Sequence, residues 1–268
     1  MDVENIDGAG EEVKALATLD KDGFGLLRIL ADIVEVPAVT VSGGWLRFAG
    51  FSHDHVAYLV ASCRAYGDAA ESRTFSVDLA EMLRRLKLKA EHRCRLYLVG
   101  NILRAVVKHV WKDEEYVEEF ETFPVGEPEK IVERLRSMQF EASFEMSPNL
   151  LKKALELVDA VSDFVVISVN STSQHDENGA VKLVGGGEYR PKVEVALRGV
   201  TCAGVAESAY PLRYLLAVVR RLTESRVSSV KAELKAKHPA RLSFYAPMLD
   251  FSAEVYVAPR ILDDVGRE

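Results

Sequence analysis

Two histidines flank an aspartate in the segment His53, Asp54 and His55, and side chains of these types are natural ligands for zinc. Alternation along a strand or tight loop would direct His53 and His55 to the same side. The other histidines, which lie in unrelated predicted strands and turns at no recognisable ligand spacing, are His92, His109, His175 and His238. Because a complete site needs at least one further ligand, a metal-dependent hydrolase using His53 and His55 is kept only as an alternative. We expect no metal and no cofactor.

Three consecutive glycines at positions 185–187 are a second candidate for chemistry, because glycine-rich loops can cradle phosphates. Such a loop leads into a helix that begins with Lys and Ser or Thr. Here Arg190 and Pro191 lead directly into a strand-like run, so the pattern predicts a flexible hairpin connection. A Ser-His-Asp triad cannot be recognised from spacing, because triads assemble in space. We therefore expect that the chain is not an enzyme.

Charge and cysteine content limit the class of protein. The net charge of −7 normally counts against nucleic-acid binding, although an average conceals how the charges are distributed. Cys63, Cys94 and Cys202 are odd in number and form no CxxC pair, which predicts buried thiols in a reducing cytoplasm. No apolar run approaches the roughly 20 residues that span a bilayer, and the acidic start lacks a signal pattern. We expect a cytoplasmic protein without a membrane partner.

Basic residues recur on the polar faces of the predicted helices. Arg84 and Lys87 lie away from the leucine stripe of the second helix, and Lys153 lies opposite that of the third. On the fourth, Arg213 and Arg220 share nearly one azimuth, because seven residues make about two turns. No aromatic ladder interleaves with these residues, so stacking on single-stranded bases is not indicated. The pattern predicts non-specific contact with a nucleic-acid phosphate backbone, without readout of bases.

Hydrophobic periodicity identifies the elements that would position these side chains. Apolar residues at helical spacing predict four helices, at 24–34, 77–88, 148–158 and 211–223. The predicted strands lie at 38–41, 45–49, 57–61, 95–99, 103–110, 164–169, 192–196, 232–237, 241–245 and 253–257. Gly43-Gly44 and Gly100-Asn101 are hairpin signals. Helix, strands, helix and strands occur twice in this order, which predicts two similar α+β domains.

The join between the predicted domains has the composition of a surface linker. Pro124, Gly126 and Pro128 occur there among several charged residues. The predicted organisation is a disordered acidic tail at 1–12, an N-terminal domain at 13–122, an interdomain connector at 123–140 and a C-terminal domain at 141–268.

Four short segments carry a family resemblance. The most specific is the ending, where Tyr256 and Val257 precede Ala258, Pro259 and Arg260; this is similar to a final strand with tyrosine and an Ala-Pro-Lys/Arg ending. The pair at 55–56 resembles the end of an Asp-Pro-Ser-His-Val loop. Positions 210–220 resemble a helix that begins Tyr-Ser-Leu-x-Tyr-Leu, and 146–162 resemble the helix that opens a second domain. In this order and spacing, the segments resemble the PCNA family of sliding clamps.

The resemblance implies a two-domain subunit with antiparallel sheets outside and helices lining the inner face of a ring. Three subunits would close head to tail, as a homotrimer or a heterotrimer. The side chains that face duplex DNA would be Arg84, Lys87, Lys153, Arg213 and Arg220. The implied function is a processivity factor, associated with the nucleoid, for DNA polymerase, the clamp loader, flap endonuclease and DNA ligase. A checkpoint-type clamp, which acts in DNA-damage signalling, is the alternative.

The resemblance also implies a pocket that receives a short partner helix bearing aromatic anchors. Its lining would be Phe51, His55, Tyr58, Pro239, Tyr256, Ala258 and Pro259, covered by connector residues 131–135. The ring edges would be a strand near 116–121 and another near 180–184, whose pairing between subunits would satisfy open backbone groups.

The sequence departs from the family pattern at the first and the third predicted helices. Gly23, Gly25 and Asp32 weaken the first predicted helix, which is usually basic, and Glu156 occupies an often basic position of the third. These departures suggest a diverged clamp and leave open one subunit of a heterotrimer, as in some archaea.

Overall fold

The computed structural model describes residues 16–19, 27–64, 72–89, 91–125, 128–171, 180–187, 190–225, 227–247 and 250–261. The predicted tail at 1–12 and the start of the first predicted helix lie outside the described residues. The strands, in chain order, are β1 (Ala17–Leu19), β2 (Ala38–Ser42), β3 (Trp45–Phe51), β4 (Ala57–Arg64), β5 (Arg73–Ser76), β6 (His92–Val99), β7 (Ile102–His109), β8 (Glu115–Glu121), β9 (Ala142–Met146), β10 (Phe164–Ser171), β11 (Val181–Gly187), β12 (Arg190–Leu197), β13 (Thr201–Pro211), β14 (Val230–Leu234), β15 (Ala240–Ala246) and β16 (Phe251–Val257). The helices are α1, described at 27–31, α2 (Leu79–Leu86), α3 (Glu129–Arg136), α4 (Pro148–Asp159) and α5 (Leu212–Glu224).

The order of elements repeats on the two sides of α3. Each half runs through one strand, a helix, four strands, a helix and three strands. Both predicted hairpin turns are present: Gly43 and Gly44 have positive φ between β2 and β3, and Gly100 has positive φ between β6 and β7. The mixed α+β class predicted from the sequence is confirmed.

One long antiparallel sheet runs through both halves of the chain. Its strand order is β12-β11-β10-β13-β9-β14-β15-β16-β4-β3-β2-β5, and a second sheet has the order β1-β6-β7-β8. The halves meet where β16 pairs with β4, with Tyr256 opposite Tyr58 and Val257 opposite Ala57. The last strand of the chain is therefore built into a sheet with strands of the first half.

Different helices pack on the two faces of this sheet. On β4, Leu59 and Ala61 belong to the large core that includes the apolar faces of α1, α2, α4 and α5. Tyr58 and Val60 alternate with them and point to the opposite face, where Val132 of α3 packs. Four helices thus lie on one face, and α3 lies on the other. None of the described helices is both long and apolar enough to cross a membrane.

Helix α3 is absent from the elements predicted by periodicity. It has eight residues, none of them buried, and no side chain caps its first turn. An isolated helix of this length is marginal in water, so packing against the sheet must stabilise it. The three cysteines are buried free thiols, as predicted, and burial raises the pKa of Cys63 and Cys94 to about 12.

The predicted hairpin is present, because β11 pairs with β12, but the glycines at 185–187 belong to β11 and do not form a flexible connection, so that part of the prediction is wrong. They are the last residues of β11, with a register shift between Gly185 and Gly187 opposite β12. Gly186 has φ +81°, and a Cβ atom there would lie 2.0 Å from the carbonyl oxygen of Pro191. This close backbone approach explains why the position requires glycine.

Replacing Gly186 with alanine is expected to destabilise the protein more than the same change at Gly43. Both residues have a left-handed backbone, where a Cβ costs about 1 kcal/mol. Nothing lies within 4 Å of a Cβ at Gly43, whereas at Gly186 the backbone must move, for a total of about 3 kcal/mol. Urea unfolding of Gly186→Ala and Gly43→Ala measures the difference, and equal midpoints would contradict the packing explanation.

Candidate functional site

Two of the predicted DNA-facing residues lie on α2. Asp78 caps this helix by accepting a hydrogen bond from the Glu81 N–H at 2.7 Å, and Lys87 ends it in a left-handed conformation. Arg84 and Lys87 are exposed. Arg84 lies 3.9 Å from the Glu81 carboxylate, a surface pair that leaves its charge largely available.

The other three predicted residues lie on α4 and α5, which pack side by side. Lys153 is exposed on α4. On α5, Arg220 donates to Glu156 at 3.4 Å and lies 3.9 Å from Asp159, both on α4. Glu156, which departs from the family pattern on α4, thus pairs with a predicted DNA contact on α5.

Arg213 is bound to the loop between β3 and β4. Its guanidinium pairs with Asp54, donates to the Tyr214 hydroxyl at 3.0 Å and lies over the Tyr214 ring. The Tyr214 hydroxyl and the Ser52 hydroxyl also donate to Asp54. Asp54 is therefore a structural acceptor that joins the first half of the chain to α5, and this contact could not be predicted from spacing.

A second ion pair links the helices of the two halves. Arg221 of α5 donates to Asp32, at the end of α1, at 2.6 Å, and to Glu224 at 3.0 Å. The hydrogen bond with Asp32 is the main cause that raises the pKa of Arg221 above its usual value. From the sequence alone, Asp32 is expected only to weaken the first helix. In the structure, its carboxylate connects the two halves by accepting a hydrogen bond from Arg221.

The pairing register of β3, β4 and β16 brings several of the predicted pocket residues together at one end of the sheet. Phe51 lies opposite Tyr58 across β3 and β4, with their rings 4.5 Å apart edge to face, and the Phe51 ring lies 5.3 Å from that of His55. Tyr58 in turn lies opposite Tyr256. These four side chains form one aromatic cluster at the junction of the two halves.

The remaining predicted pocket residues follow the same strands. The Ala258 N–H donates to the Val56 carbonyl at 2.8 Å, and Ala240 lies opposite Val257. Pro239, which precedes Ala240, is therefore at the same end as Ala258 and Pro259. A cavity of about 460 Å³ lies beside them, lined by Val56, Leu212, Arg213, Ala258, Pro259 and Arg260 among others.

Connector helix α3 lies over the aromatic cluster. Val132 and Leu135 pack against Tyr58 and Tyr256, together with Phe140 just beyond the helix. A second cavity, of about 390 Å³, lies between α3 and the outer face of β2, β3 and β4. These contacts place the predicted connector cover next to the predicted pocket.

The two tyrosines differ in hydrogen bonding. The Tyr256 hydroxyl donates to Glu254 at 2.8 Å, whereas the Tyr58 hydroxyl is buried without a hydrogen-bond partner among the described residues. Burial is the main cause that raises the pKa of both tyrosines to about 12. Both are therefore neutral at neutral pH, and only their hydrogen bonds distinguish them.

Open strand edges lie at β8 and β12. β8 is the last strand of the four-stranded sheet, as predicted near 116–121. The other predicted edge, near 180–184, is wrong, because β11 is paired on both sides and β12 is the edge strand. The hairpin predicted at positions 185–187 does join β11 to β12, and the error was to take β11 in place of β12 as the edge strand.

The described residues offer one group of three close ligand side chains, and it does not include His53 or His55. It consists of Glu91, His92 and His109. Sequence reasoning placed His92 and His109 in unrelated elements, whereas β6 and β7 place them directly opposite one another. The hairpin signal at Gly100-Asn101 was sufficient to pair them.

Comparison with known proteins identifies the fold. No family model and no curated protein matches the sequence. By structure, the chain is similar to a chain of the PCNA2–PCNA3 complex from Sulfolobus tokodaii, with a TM-score of 0.73 and 18% sequence identity. The match covers 92% of this chain and 98% of that chain. Agreement over this length shows that the two share a fold.

Removal of the hydroxyl group is expected to change the free energy of unfolding in opposite directions at Tyr58 and Tyr256. Tyr58→Phe is expected to raise the free energy of unfolding by about 1 kcal/mol, because it removes a buried hydroxyl without a partner. Tyr256→Phe is expected to lower it by about 1 kcal/mol, because it removes a hydrogen bond to Glu254. Chemical denaturation at pH 7 measures both; a loss of stability in Tyr58→Phe would mean that its hydroxyl has a partner.

Proposed function

We propose that this chain, which has the fold of the PCNA-type sliding clamps, is one subunit of a three-membered ring that encircles duplex DNA and tethers replication and repair enzymes. The observation that carries the proposal is the two-sided sheet: helices with exposed cations cover one face, and an aromatic cluster under α3 occupies the other. DNA and partner enzymes would then bind opposite faces of the same subunit. The role is that of a scaffold and not of an enzyme.

The helix face supports weak, non-specific contact with DNA. Arg213 and Arg220 pair with carboxylates, whereas no ion pair to Lys87 or Lys153 occurs within the described part of the chain. Exposed lysines act as point charges that attract phosphates without reading bases. Weak ionic contacts between the helices and the phosphates suit a protein that must move along the duplex.

The open edges support ring closure. In the ring, β8 of one subunit would pair with β12 of the next, and a head-to-tail contact of this kind closes when its rotation completes a circle. The exposed part of β8 is acidic, with Glu115, Glu119 and Glu121, whereas β12 carries both the exposed Lys192 and the exposed Glu194, which pairs with Lys182. A native mass measurement of the chain alone, and then with candidate sister subunits, distinguishes a homotrimer from a heterotrimer.

The outer face supports partner recognition. The cavity between α3 and the sheet combines apolar side chains such as Val60 and Val132 with the charged Glu129, Glu133 and Arg136. Such a cleft suits a partner segment that inserts a few aromatic anchors among polar contacts. By family resemblance, the partners are DNA polymerase, the clamp loader, flap endonuclease and DNA ligase. The PCNA2–PCNA3 likeness favours sister subunits as further partners.

Topological retention tests the proposed function. A clamp loaded on nicked circular DNA should stay bound during gel filtration at high salt and should dissociate when a restriction enzyme linearises the circle. A protein that binds only through charge would dissociate at high salt from both forms. Retention without any binding of clamp-type partner peptides would favour a checkpoint-type clamp.

Removing Lys87 and Lys153, which have no ion pair among the described residues, is expected to weaken the salt-dependent part of DNA binding. Lys87→Gln with Lys153→Gln should reduce the slope of log affinity against log salt by about 2, since each lost phosphate contact contributes about 0.9. Anisotropy of a short fluorescent duplex with the assembled ring measures this slope. Lys182→Gln is the matched control, because Lys182 lies on the outer face of β11 and pairs with Glu194 at 2.9 Å. A wild-type slope in the double variant would contradict DNA contact through these helices.

Truncation of Phe51 is expected to weaken partner peptides. Phe51 is 41% exposed at the edge of the aromatic cluster, so Phe51→Ala removes an anchor surface while leaving the core intact. We expect about a tenfold lower affinity for a helical peptide with aromatic anchors, measured by calorimetry. Tyr245→Ala is the control, because Tyr245 is exposed on β15, opposite Ser252 and away from the cluster. Equal affinity of Phe51→Ala and wild type would remove Phe51 from the binding surface.

A further inference from the structure

The end of the β6–β7 hairpin brings together three side chains that can bind a metal ion. His92 and His109 lie directly opposite one another across the two strands, with ring centroids 5.5 Å apart. Glu91 precedes His92, and its carbonyl accepts the Val110 N–H at 2.7 Å, which closes this end of the hairpin. One ligand atom from each of the three residues lies within 4.8 Å of the other two.

The surroundings keep this cluster both accessible and well supported. All three side chains are half-buried, so an ion can reach them from solvent while the sheet limits their motion. The Tyr116 ring lies 6.5 Å from that of His92, and the Tyr116 hydroxyl donates to the Leu86 carbonyl at 2.6 Å. The cluster is thus fixed between β6, β7, β8 and the end of α2.

Backbone N–H groups occupy the Nδ1 atoms of both imidazoles. The His92 Nδ1 atom accepts from the Lys89 N–H at 3.3 Å, and the His109 Nδ1 atom accepts from the Trp111 N–H at 3.1 Å. The lone pair that accepts each of these hydrogen bonds is the one that a metal ion at Nδ1 would take. Both donors belong to exposed connections, and the bonds, at 3.3 and 3.1 Å, are longer than the usual 2.9–3.0 Å. A metal ion would replace these two bonds through a small shift of the connections or of the rings.

The structure assigns a site for a zinc-class divalent cation to Glu91, His92 and His109, with the fourth position open to water or to another ligand. Two imidazoles and one carboxylate are one of the sets that hold zinc with an open position. Imidazole also suits copper, nickel and cobalt, whereas magnesium and calcium prefer oxygen ligands. In a tetrahedral site with bonds near 2.1 Å, ligand atoms are about 3.4 Å apart, so the cluster closes by about 1.4 Å at most on binding.

An ion at this position would join the ends of β6 and β7 beside β8. It would fix the hairpin end opposite the Gly100 turn, and it would do so whether or not the chain forms a ring. The inference therefore does not depend on the proposed function. Failure of zinc binding and failure of DNA retention are separate results.

Titration of the full chain, first treated with a chelator, with Zn²⁺ tests the site. Calorimetry is expected to show one ion per chain, and His92→Gln or His109→Gln should each lower the affinity by about 100-fold or abolish binding. His53→Gln is the matched control, because it removes an exposed histidine that belongs to no described cluster. Excess Mg²⁺ should not compete.

Cobalt provides an independent measurement in the same variants. Co²⁺ bound by two imidazoles and a carboxylate in a four-coordinate site gives intense visible absorption, which His92→Gln and His109→Gln should remove and His53→Gln should retain. Circular dichroism confirms that the variants fold. The proposal is overturned if wild type binds no zinc, or if the His92→Gln/His109→Gln double variant binds it as tightly as wild type.

Discussion

The antiparallel pairing of β16 with β4 is the contact on which the rest of the structure depends. It joins residues about 190 positions apart in register, from Ser252 opposite Ser62 to Val257 opposite Ala57, and the Ser62 and Ser252 hydroxyls share a hydrogen bond at 2.8 Å. Because the strands of both halves then form one sheet, alternation along each strand divides the molecule into a helix side and a connector side. The aromatic cluster exists only because Tyr58 and Tyr256 meet at this junction.

Ion pairs reinforce the same junction on the helix side, but they do not determine it. Arg221 with Asp32 and Arg213 with Asp54 connect the halves, and all four side chains are partly exposed. Exposed pairs of this kind contribute about 0–1 kcal/mol each. A buried leucine or valine contributes roughly 1.5–3 kcal/mol, and the core under the helices contains dozens of such side chains. The sheet and core therefore set the geometry, and the ion pairs adjust the charge of the surface that results.

Local patterns predicted four of the five described helices and ten of the sixteen described strands, and they failed where long-range contacts decide. The four periodic helices and the hairpins at Gly43 and Gly100 follow from residues close in sequence. Helix α3 has only a few apolar residues, and its stability depends on Tyr58 and Tyr256, which periodicity cannot place beside it. β13 was missed because its many small residues give no clear alternation.

The same distinction applies to the site. The helical spacing that located Arg213 and Arg220 contains no information on their carboxylate partners, of which Asp54 comes from the other half of the chain. Once those partners are counted, the helix face offers DNA few unpaired charges on a chain whose net charge is −7. Charge alone would not hold such a protein on DNA at physiological salt, since each phosphate contact is weakened by salt. Under the proposed function, retention must therefore come from closure of the ring through β8 and β12, and the weak grip of the helices is what permits sliding.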